Sequence, residues 1–160
     1  MNAKKYFLVN FSNYSFCRCI MELISKNLRS TKKIAKQISK MVDEYSIITL
    51  TGDLGAGKTT FTKFLLKYLK VKDIVSSPTF TIVKMYHVGK GCISHFDLYR
   101  INNSDELREL GFAEMLDQSY LSIIEWPNIA QDYLKRKRLD ITIKFDDQMN
   151  RVFNIEARNE

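Results

Sequence analysis

The chain has 160 residues, of which 45% are hydrophobic and 27% charged, so it can form one compact domain and its composition excludes a disordered protein. It has no run of about 18 apolar residues, so we expect no membrane span. Its formal net charge of +7 comes from 25 basic and 18 acidic residues. Cys17, Cys19 and Cys92 have no zinc-type spacing, which favours free thiols in a reducing cytoplasm.

The first 20 residues are interpreted as an extension that precedes the domain. Lys4 and Lys5 stand before a short apolar run, as in a signal peptide, but polar residues soon interrupt that run and no small-residue cleavage site follows. We therefore divide the chain into an extension, residues 1–20, and a single domain, residues 21–160. We expect Met21 to be the natural initiator, with the extension either a misassigned start or a lineage-specific addition.

The first half of the domain alternates between helical and strand patterns. Thr31 is predicted to cap a helix that runs to about Asp43, with apolar residues at helical spacing. Residues 46–51 are β-branched and largely apolar, which favours a buried strand. A helix with one apolar stripe is predicted over residues 58–69.

The second half is predicted to be mostly strands. A capping hydroxyl followed by two acidic residues predicts a short helix that begins at Ser104 and ends at Gly111. Strict alternation of apolar and polar residues near the C-terminus predicts an antiparallel hairpin. The predicted strands are residues 79–86, 93–98, 121–125, 139–145 and 152–157, with a turn at 146–150.

Residues 52–59, with the sequence GDLGAGKT, match the Walker A pattern at every fixed position and lie between a predicted strand and a predicted helix. Glycines let backbone N–H groups turn toward phosphate oxygens, and the helix N-terminus adds its positive end. Lys58 is expected to reach the β- and γ-phosphates, and the Thr59 hydroxyl to bind Mg²⁺. The residues expected to cradle the nucleotide are Asp53, Leu54, Gly55, Ala56, Gly57, Lys58, Thr59 and Thr60.

The order of strand, phosphate loop, helix and strand predicts an α/β fold of the P-loop NTPase type. We expect three layers, with a central, mostly parallel sheet and a C-terminal antiparallel hairpin. The fold class and the loop together predict that the protein binds a nucleoside triphosphate and hydrolyses it with Mg²⁺.

A P-loop enzyme also needs a carboxylate at the end of a neighbouring strand to hold the metal or its water. Two acids stand at such places, Asp97 after residues 93–96 and Glu125 after residues 121–124. Their spacing leaves open which one binds metal and which one orients water. His87 and His95 are expected to be structural or surface residues, because neither has a metal-binding partner at a suitable spacing.

Two further features are left open. A polar turn at residues 77–79 precedes a predicted strand, and Thr79 is either a γ-phosphate sensor or an ordinary strand start. Residues 135–138, KRKR, form a basic cluster that is either a solvated surface or a contact for an acidic partner or RNA.

Five segments together give the chain a resemblance to a known family. They are residues 52–60, 77–81, 95–100 (HFDLYR), 109–111 and 124–127 (IEWP). In order and spacing they resemble the TsaE family, also called YjeE, the small bacterial ATPase of tRNA threonylcarbamoyladenosine synthesis. The resemblance covers residues 21–157. It departs from the family's pattern at Asn128 and at residues 135–138, which concerns partner contacts more than nucleotide chemistry.

The resemblance implies roles for individual residues. Lys58 holds phosphates, Thr59 and Glu125 bind Mg²⁺, and Asp97 orients the attacking water or acts as its general base. Thr79 belongs to the first switch segment.

Three other residues are expected near the nucleotide by the same resemblance. Thr31 opens the first helix at the family's distance from the P-loop, close to the base. Asn150 and Arg151 fall where the family often has Gly-Arg.

The function implied by the resemblance is that of an ATPase subunit that acts with the TsaD and TsaB proteins. Those partners attach a threonylcarbamoyl group to adenosine 37 of tRNA, so this chain would meet tRNA indirectly through the complex, in the cytoplasm. A small-molecule kinase on the same scaffold is the alternative, because the phosphate loop does not fix the acceptor. The oligomeric state is left open.

Overall fold

The computed structural model describes residues 6–8 and 19–159, with side-chain detail from Met21 onward. The expectations for Lys4, Lys5 and Cys17 lie outside the described residues, and the boundary after residue 20 stays a prediction. In the described part of the chain, no helix is long and apolar enough to cross a membrane.

Helices and strands alternate along most of the chain. The strands are β1 (Tyr6–Leu8), β2 (Cys19–Ser25), β3 (Ile47–Thr51), β4 (Val83–Val88), β5 (Gly91–Asp97), β6 (Leu121–Glu125), β7 (Arg138–Phe145) and β8 (Arg151–Arg158). The helices are α1 (Leu28–Ile38), α2 (Lys58–Tyr68), α3 (Ser104–Glu109) and α4 (Phe112–Gln118), with a 3₁₀ helix at Pro127–Tyr133.

One sheet carries all eight of these strands in the order β1-β2-β8-β7-β3-β6-β5-β4. The four central strands β7, β3, β6 and β5 run parallel to one another, and the pairs on either side of them are antiparallel. The predicted α/β fold with a central, mostly parallel sheet is therefore confirmed. The predicted C-terminal hairpin is also confirmed, because β7 pairs with β8 around a turn closed by the Asp146 N–H and the Asn150 carbonyl.

Helices cover the sheet on two sides, which gives the predicted three layers. Successive residues of β3 point to opposite faces, so Ile47 packs in one apolar cluster and Ile48 in the other. The cluster with Ile48 joins the sheet to α1 and α2, where Phe61 and Leu65 are fully buried. The cluster with Ile47 joins the sheet to α3, α4 and the 3₁₀ helix.

The first helix begins earlier than the sequence suggests, and the prediction that Thr31 caps it is wrong. Asn27 has the extended backbone of an N-cap, and its Oδ1 accepts a hydrogen bond from the Ser30 N–H at 3.0 Å. The Ser30 hydroxyl in turn accepts from the Asn27 N–H at 3.1 Å, which completes a capping box. Thr31 lies inside the helix and is buried. Its hydroxyl is hydrogen-bonded to the Ser25 hydroxyl at 2.7 Å, so it does not cap the helix.

The segment before β4 differs from the predicted long strand. Residues 79–82 form a turn, in which the N–H groups of Thr81 and Ile82 donate to the Pro78 carbonyl. Ile82 has a φ of 64°, a left-handed conformation that is strained for a β-branched residue. The strand therefore starts at Val83, four residues later than the pattern predicts.

Gly111 ends α3 as predicted, and it also precedes α4, a helix that the sequence pattern did not indicate. Its φ of 70° lets the chain leave α3, which ends at Glu109, and start again at Phe112 after a break of two residues. The cap of α3 is Asn103 rather than Ser104, since the Asn103 side chain accepts from the Glu106 N–H at 3.0 Å.

Candidate functional site

A cavity of about 290 Å³ opens at the carboxyl ends of the central strands. Parallel strands deliver the residues that follow them to one edge of a sheet, and the loop after β3 meets the ends of β5 and β6 there. The residues that line the cavity are Leu54, Gly55, Gly57, Lys58, Thr59, Thr60, Ser77, Thr79, Asp97, Tyr99, Glu125 and Trp126.

The phosphate loop, residues 52–59, occupies the position expected from its sequence, between β3 and α2. Gly57 precedes the helix with a φ of 106°, which L side chains rarely adopt, and this turn directs the loop's backbone toward the cavity. Of the remaining predicted loop residues, Asp53 is exposed, and Ala56 is buried beneath the loop. The loop therefore forms one wall of the cavity with its backbone and its threonines.

Lys58 is buried at the start of α2, and its ammonium points back into the loop. Its Nζ donates to the carbonyls of Gly52 at 2.7 Å and Asp53 at 2.9 Å. The same atom lies 3.8 Å from the centre of the Trp126 ring, a cation–π contact. Two loop carbonyls and the Trp126 ring together hold the Lys58 ammonium at the cavity.

Burial lowers the pKa of Lys58 below its ordinary value of 10.5, while the nearby carboxylates of Glu125 and Asp97 act in the opposite direction. Taking an ammonium out of water disfavours its charged form, and burial is the larger effect here. A buried cation with a lowered pKa favours any ligand that brings negative charge to it, and phosphate is such a ligand.

Glu125 ends β6 and is held from two sides. Its Oε2 accepts a hydrogen bond from the Thr59 hydroxyl at 3.0 Å. Its Oε1 lies 2.9 Å from Nε2 of His95, and both side chains are buried. The carboxylate consequently has one oxygen directed at the phosphate loop and the other directed into the protein.

Asp97 ends β5 and sits beside Glu125, since the two residues are partners in the parallel pairing of β5 and β6. Its Oδ2 accepts from the hydroxyls of Ser77 at 3.0 Å and Thr79 at 2.5 Å. Its Oδ1 accepts from the backbone N–H of Tyr99 at 3.2 Å. The strand pairing fixes the two acids next to each other, and the turn at residues 77–79 determines how the Asp97 carboxylate is oriented.

Some predicted nucleotide contacts lie apart from this cavity. Thr31 is not among the lining residues, and its hydroxyl is engaged with Ser25. Asn150 bonds to the Asp146 carboxylate within the β7–β8 turn. Arg151, by contrast, contacts the phosphate loop, because its Nε donates to the Ala56 carbonyl at 2.8 Å. The roles of all three residues toward a nucleotide stay predictions.

The sequence pattern did not assign site contacts to Tyr99 and Trp126, which line the cavity, or to His95, which is buried and contacts Glu125. His95 bonds to Glu125, Trp126 covers the Lys58 ammonium, and Tyr99 packs against Trp126 with ring centres 5.0 Å apart. Strand alternation was a usable signal for His95, which lies two residues before Asp97 on the same strand and so shares its face. His87, the other histidine, is exposed as expected for a surface residue.

The donor set at the cavity suits magnesium bound together with a phosphate. Mg²⁺ prefers oxygen ligands and takes only one or two from the protein when phosphates and water supply the others. The Thr59 hydroxyl and the Glu125 carboxylate provide two such oxygens, 3.0 Å apart. Within residues 6–8 and 19–159 no group of three His, Cys, Asp or Glu side chains could hold a metal by itself.

The fold and the loop define the chain as a P-loop α/β protein. A family model described as "Threonylcarbamoyl adenosine biosynthesis protein TsaE" matches residues 25–153. The chain therefore belongs to the TsaE family, and the resemblance seen in its sequence is confirmed.

Individual relatives agree with the family match, and each is named tRNA threonylcarbamoyladenosine biosynthesis protein TsaE. The one from Bacillus subtilis is 42% identical over 74% of this chain and 73% of its own length. The one from Haemophilus influenzae is 35% identical over 82% of this chain and 84% of its own length. A crystal structure of Bacillus subtilis YdiB superposes with a TM-score of 0.72 at 32% identity, covering 89% of this chain and 88% of that one.

Proposed function

We propose that this protein is the Mg²⁺-dependent ATPase subunit that supports threonylcarbamoyl transfer to adenosine 37 of tRNA, together with the TsaD and TsaB proteins. Membership of the TsaE family supports the pathway. The observation that carries the ATPase part is the arrangement of Asp97 and Glu125, neighbours on two parallel strands, opposite Thr59 of the phosphate loop. A protein of this function acts in the cytoplasm, where tRNA is modified.

The phosphate loop and Lys58 bind the triphosphate in this proposal. The first residues of α2 line the cavity, and the N-terminus of a helix carries free backbone N–H groups and a partial positive charge. The Lys58 ammonium, which contacts two loop carbonyls, is close enough to exchange them for the more strongly attracting phosphate oxygens. Trp126 excludes water from one side of that ammonium.

Thr59 and Glu125 are the residues that would hold Mg²⁺. The ion held there would supply positive charge to neutralise the phosphates of the nucleotide. His95 keeps Oε1 of Glu125 occupied, so that Oε2 is the oxygen available at the Thr59 side.

Asp97 is the residue that would orient the attacking water or accept its proton. The hydroxyls of Ser77 and Thr79 and the Tyr99 N–H hold both of its oxygens. Because both of its oxygens are held, the Asp97 carboxylate has a fixed orientation toward the cavity. A base with a fixed orientation can hold a water molecule in the position needed for attack. Because Thr79 begins the turn at residues 79–82, any movement of that turn would also move this hydrogen-bond partner of Asp97.

The test is the yield of modified nucleoside in a reconstituted reaction with TsaD, TsaB, threonylcarbamoyl donor, tRNA and ATP. The reaction is run with the intact protein, without it, with Lys58→Ala and with Lys137→Ala. Lys58→Ala removes charge-assisted phosphate contacts worth about 1.5–3 kcal/mol and should abolish both ATP hydrolysis and repeated modification. Lys137 is exposed and outside the cavity, so its variant should behave as the intact protein does.

Many modified tRNAs per complex, formed only with the intact protein and Lys137→Ala, would support the proposal. The same yield of modified nucleoside with and without this protein would refute it. A screen of small-molecule acceptors for kinase activity would then follow. Normal hydrolysis by Lys58→Ala would refute the site assignment itself.

A further inference from the structure

One side of the molecule is strongly basic. Helices α1 and α2 pack against each other and cover the same face of the sheet, with their apolar residues turned inward. Their outer surface, which we call the basic face, carries eight exposed cationic side chains. These are Arg29, Lys32, Lys33, Lys36 and Lys40 on or just after α1, and Lys63, Lys67 and Lys70 on or just after α2.

The basic face lacks compensating charge. No Asp or Glu occurs between residues 23 and 42 or between residues 54 and 72. Across residues 6–8 and 19–159, none of the eight side chains takes part in a salt bridge. The helices on the other side of the sheet have the opposite character, with five acids and a single base within residues 103–118. The net positive charge is thus concentrated on one side of the molecule.

The cations form stripes along the helices rather than a scatter. Arg29, Lys33, Lys36 and Lys40 follow one another at intervals of four, three and four residues, which places them along one side of α1. Eleven residues of helix span about 16 Å. On α2, Lys63 and Lys67 are four residues apart and so lie on one side of the helix, and Lys70 follows just after its end. Lys32 joins the two helices, because its Nζ lies 5.7 Å from the centre of the Phe64 ring of α2.

The composition of this face matches a phosphate backbone better than a protein partner. Protein interfaces have apolar or aromatic centres and are depleted in lysine. Here seven of the eight cations are lysines, and Leu28 is the one large apolar side chain exposed on α1 and α2. A membrane-bound helix needs exposed apolar residues as well. Double-stranded DNA carries about one negative charge per 1.7 Å of its axis. A nucleic-acid backbone therefore offers enough phosphates to pair with every cation of the basic face.

We propose that the basic face of α1 and α2 binds the phosphate backbone of RNA, directly and without reading its sequence. Within the proposed function the RNA is tRNA, and the inference rests on that function for this identity. Since α2 begins at Lys58, a contact along its outer side is made on the helix that carries the phosphate loop. The protein would then hold tRNA itself instead of meeting it only through its partners.

The KRKR cluster at residues 135–138, a candidate RNA contact from sequence, is less suitable. Arg138 is buried and donates to the Leu134 carbonyl and to Asp140. Arg136 pairs with Asp117. Only Lys135 and Lys137 of this cluster remain exposed and unpaired in the described part of the chain. They offer a matched control, because changing them alters the net charge without touching the basic face.

The experiment measures binding of a fluorescently labelled tRNA transcript to the full chain by anisotropy, at several salt concentrations and without TsaD or TsaB. Lys33→Glu combined with Lys63→Glu removes two contacts and adds two repulsions. We expect its dissociation constant to rise at least about tenfold at 100 mM salt, and the slope of log K against log salt to fall by about two. Lys135→Glu combined with Lys137→Glu makes the same charge change and should bind within about twofold of the unaltered protein.

Equal losses in both double variants, or no loss in either, would overturn the proposal. So would displacement of tRNA by poly-glutamate at equal charge concentration, which would indicate an acidic protein partner. Tighter binding to vesicles rich in phosphatidylserine than to tRNA would point to a membrane surface and would overturn it too. Each variant's thermal midpoint and nucleotide binding are measured alongside, because all four lysines are exposed and their replacement should leave both unchanged.

Failure here and failure of the proposed function are separable. Binding of tRNA by the isolated protein needs no partner, so it can hold even if the reconstituted reaction does not depend on this chain. Conversely, dependence of the reaction on Lys58 with no tRNA binding to the basic face would leave the ATPase proposal intact and remove this inference alone.

Discussion

At the level of single residues, the two carboxylates of the site are held by different kinds of partner. Glu125 touches a hydroxyl of the phosphate loop and a buried histidine, whereas Asp97 touches the hydroxyls and backbone of two surface segments. One partner of Glu125, His95, is fully buried, whereas one partner of Asp97, Thr79, begins the turn that contains the strained Ile82. This difference favours a fixed role for Glu125 and an adjustable one for Asp97.

We expect His95 to act as a positioning residue for Glu125. His95→Phe keeps the approximate volume but removes the hydrogen bond, so Oε1 of Glu125 is left buried without its partner. The Mg²⁺ concentration for half-maximal ATP hydrolysis should rise about 10- to 100-fold, the usual effect of losing a residue that orients a metal ligand. A titration of hydrolysis against Mg²⁺ at saturating ATP measures this.

His87→Phe is the matched control, since His87 is exposed on β4 and should leave the Mg²⁺ midpoint unchanged. His95→Gln should recover part of the affinity, because an amide can donate to the same carboxylate oxygen. An unchanged midpoint in His95→Phe, with normal folding, would contradict the positioning role.

Sequence alone was informative about residues whose chemistry follows from a motif, and less so about the residues that support them. Lys58, Thr59 and both acids were found because a P-loop and its strand ends require such groups at set places. Strand alternation places His95 on the same face as Asp97 but does not reveal its bond to Glu125, and no local pattern encodes the contact of Trp126 with Lys58. The prediction that Thr31 caps α1 is wrong because Asn27, a few residues earlier, also has a side chain that can cap a helix, and sequence alone does not choose between them.

At the level of elements, the phosphate loop is tied to the strand beside it by close backbone packing. Gly52 has a φ of 150°, and a Cβ added there would lie 2.4 Å from the carbonyl oxygen of Ile143 on β7. Arg151 on β8 also reaches the loop from this side. The C-terminal hairpin therefore supports the loop as well as extending the sheet.

Gly52→Ala should consequently destabilise the fold by more than about 3 kcal/mol, since backbone strain of 1–3 kcal/mol is added to a steric overlap with backbone. Gly55→Ala is the control: Gly55 also has a positive φ, 81°, but an added Cβ would meet nothing within 4 Å. Its cost should be limited to the strain, about 1–2 kcal/mol. Urea unfolding of the three proteins gives the comparison, and equal losses in both variants would rule out the steric contribution of Ile143.

Element prediction succeeded where hydrophobic periodicity was strong and failed where turns decide. The alternation in β7 and β8 predicted the hairpin, and the apolar run of β6 predicted a buried strand. The late start of β4 depends on the left-handed turn at Ile82, which its side-chain type disfavours. Residues 112–118 were not recognised as a helix because α4 is only seven residues long, too short for a clear helical period.

At the scale of the whole molecule, the predicted domain boundary after residue 20 falls inside β2. From Met21 to Ser25 this strand keeps five of its pairings with β8, and Leu23 packs against the core. Ser25 is buried and bonds to Thr31 of α1. The residues from 21 onward therefore make the contacts through which β2 is joined to the domain.

A chain that starts at Met21 should fold and bind nucleotide, with a thermal midpoint lowered by less than about 4 °C. A loss of about 1 kcal/mol corresponds to a shift of 2–4 °C for a domain of this size. A chain that starts at Lys26 is the control and should be far less stable, since it lacks β2 and the Ser25 contact with α1. Thermal unfolding followed by circular dichroism distinguishes them, and similar midpoints for the two truncated chains would contradict the boundary.

The pairing of β2 with β8 also brings distant parts of the chain together. Ile20 faces Glu156, so the start of β2 lies beside the end of β8, the last strand of the chain. A short linker from Arg158 to Cys19 could join them, and the exposed turn at Gly89 and Lys90, at the far end of β5 from Asp97, could be opened instead. Such a circularly permuted protein would lack β1 but keep the strand pairings from β2 to β8 and the whole cavity. The order of the elements along the chain is therefore separable from the architecture that they build.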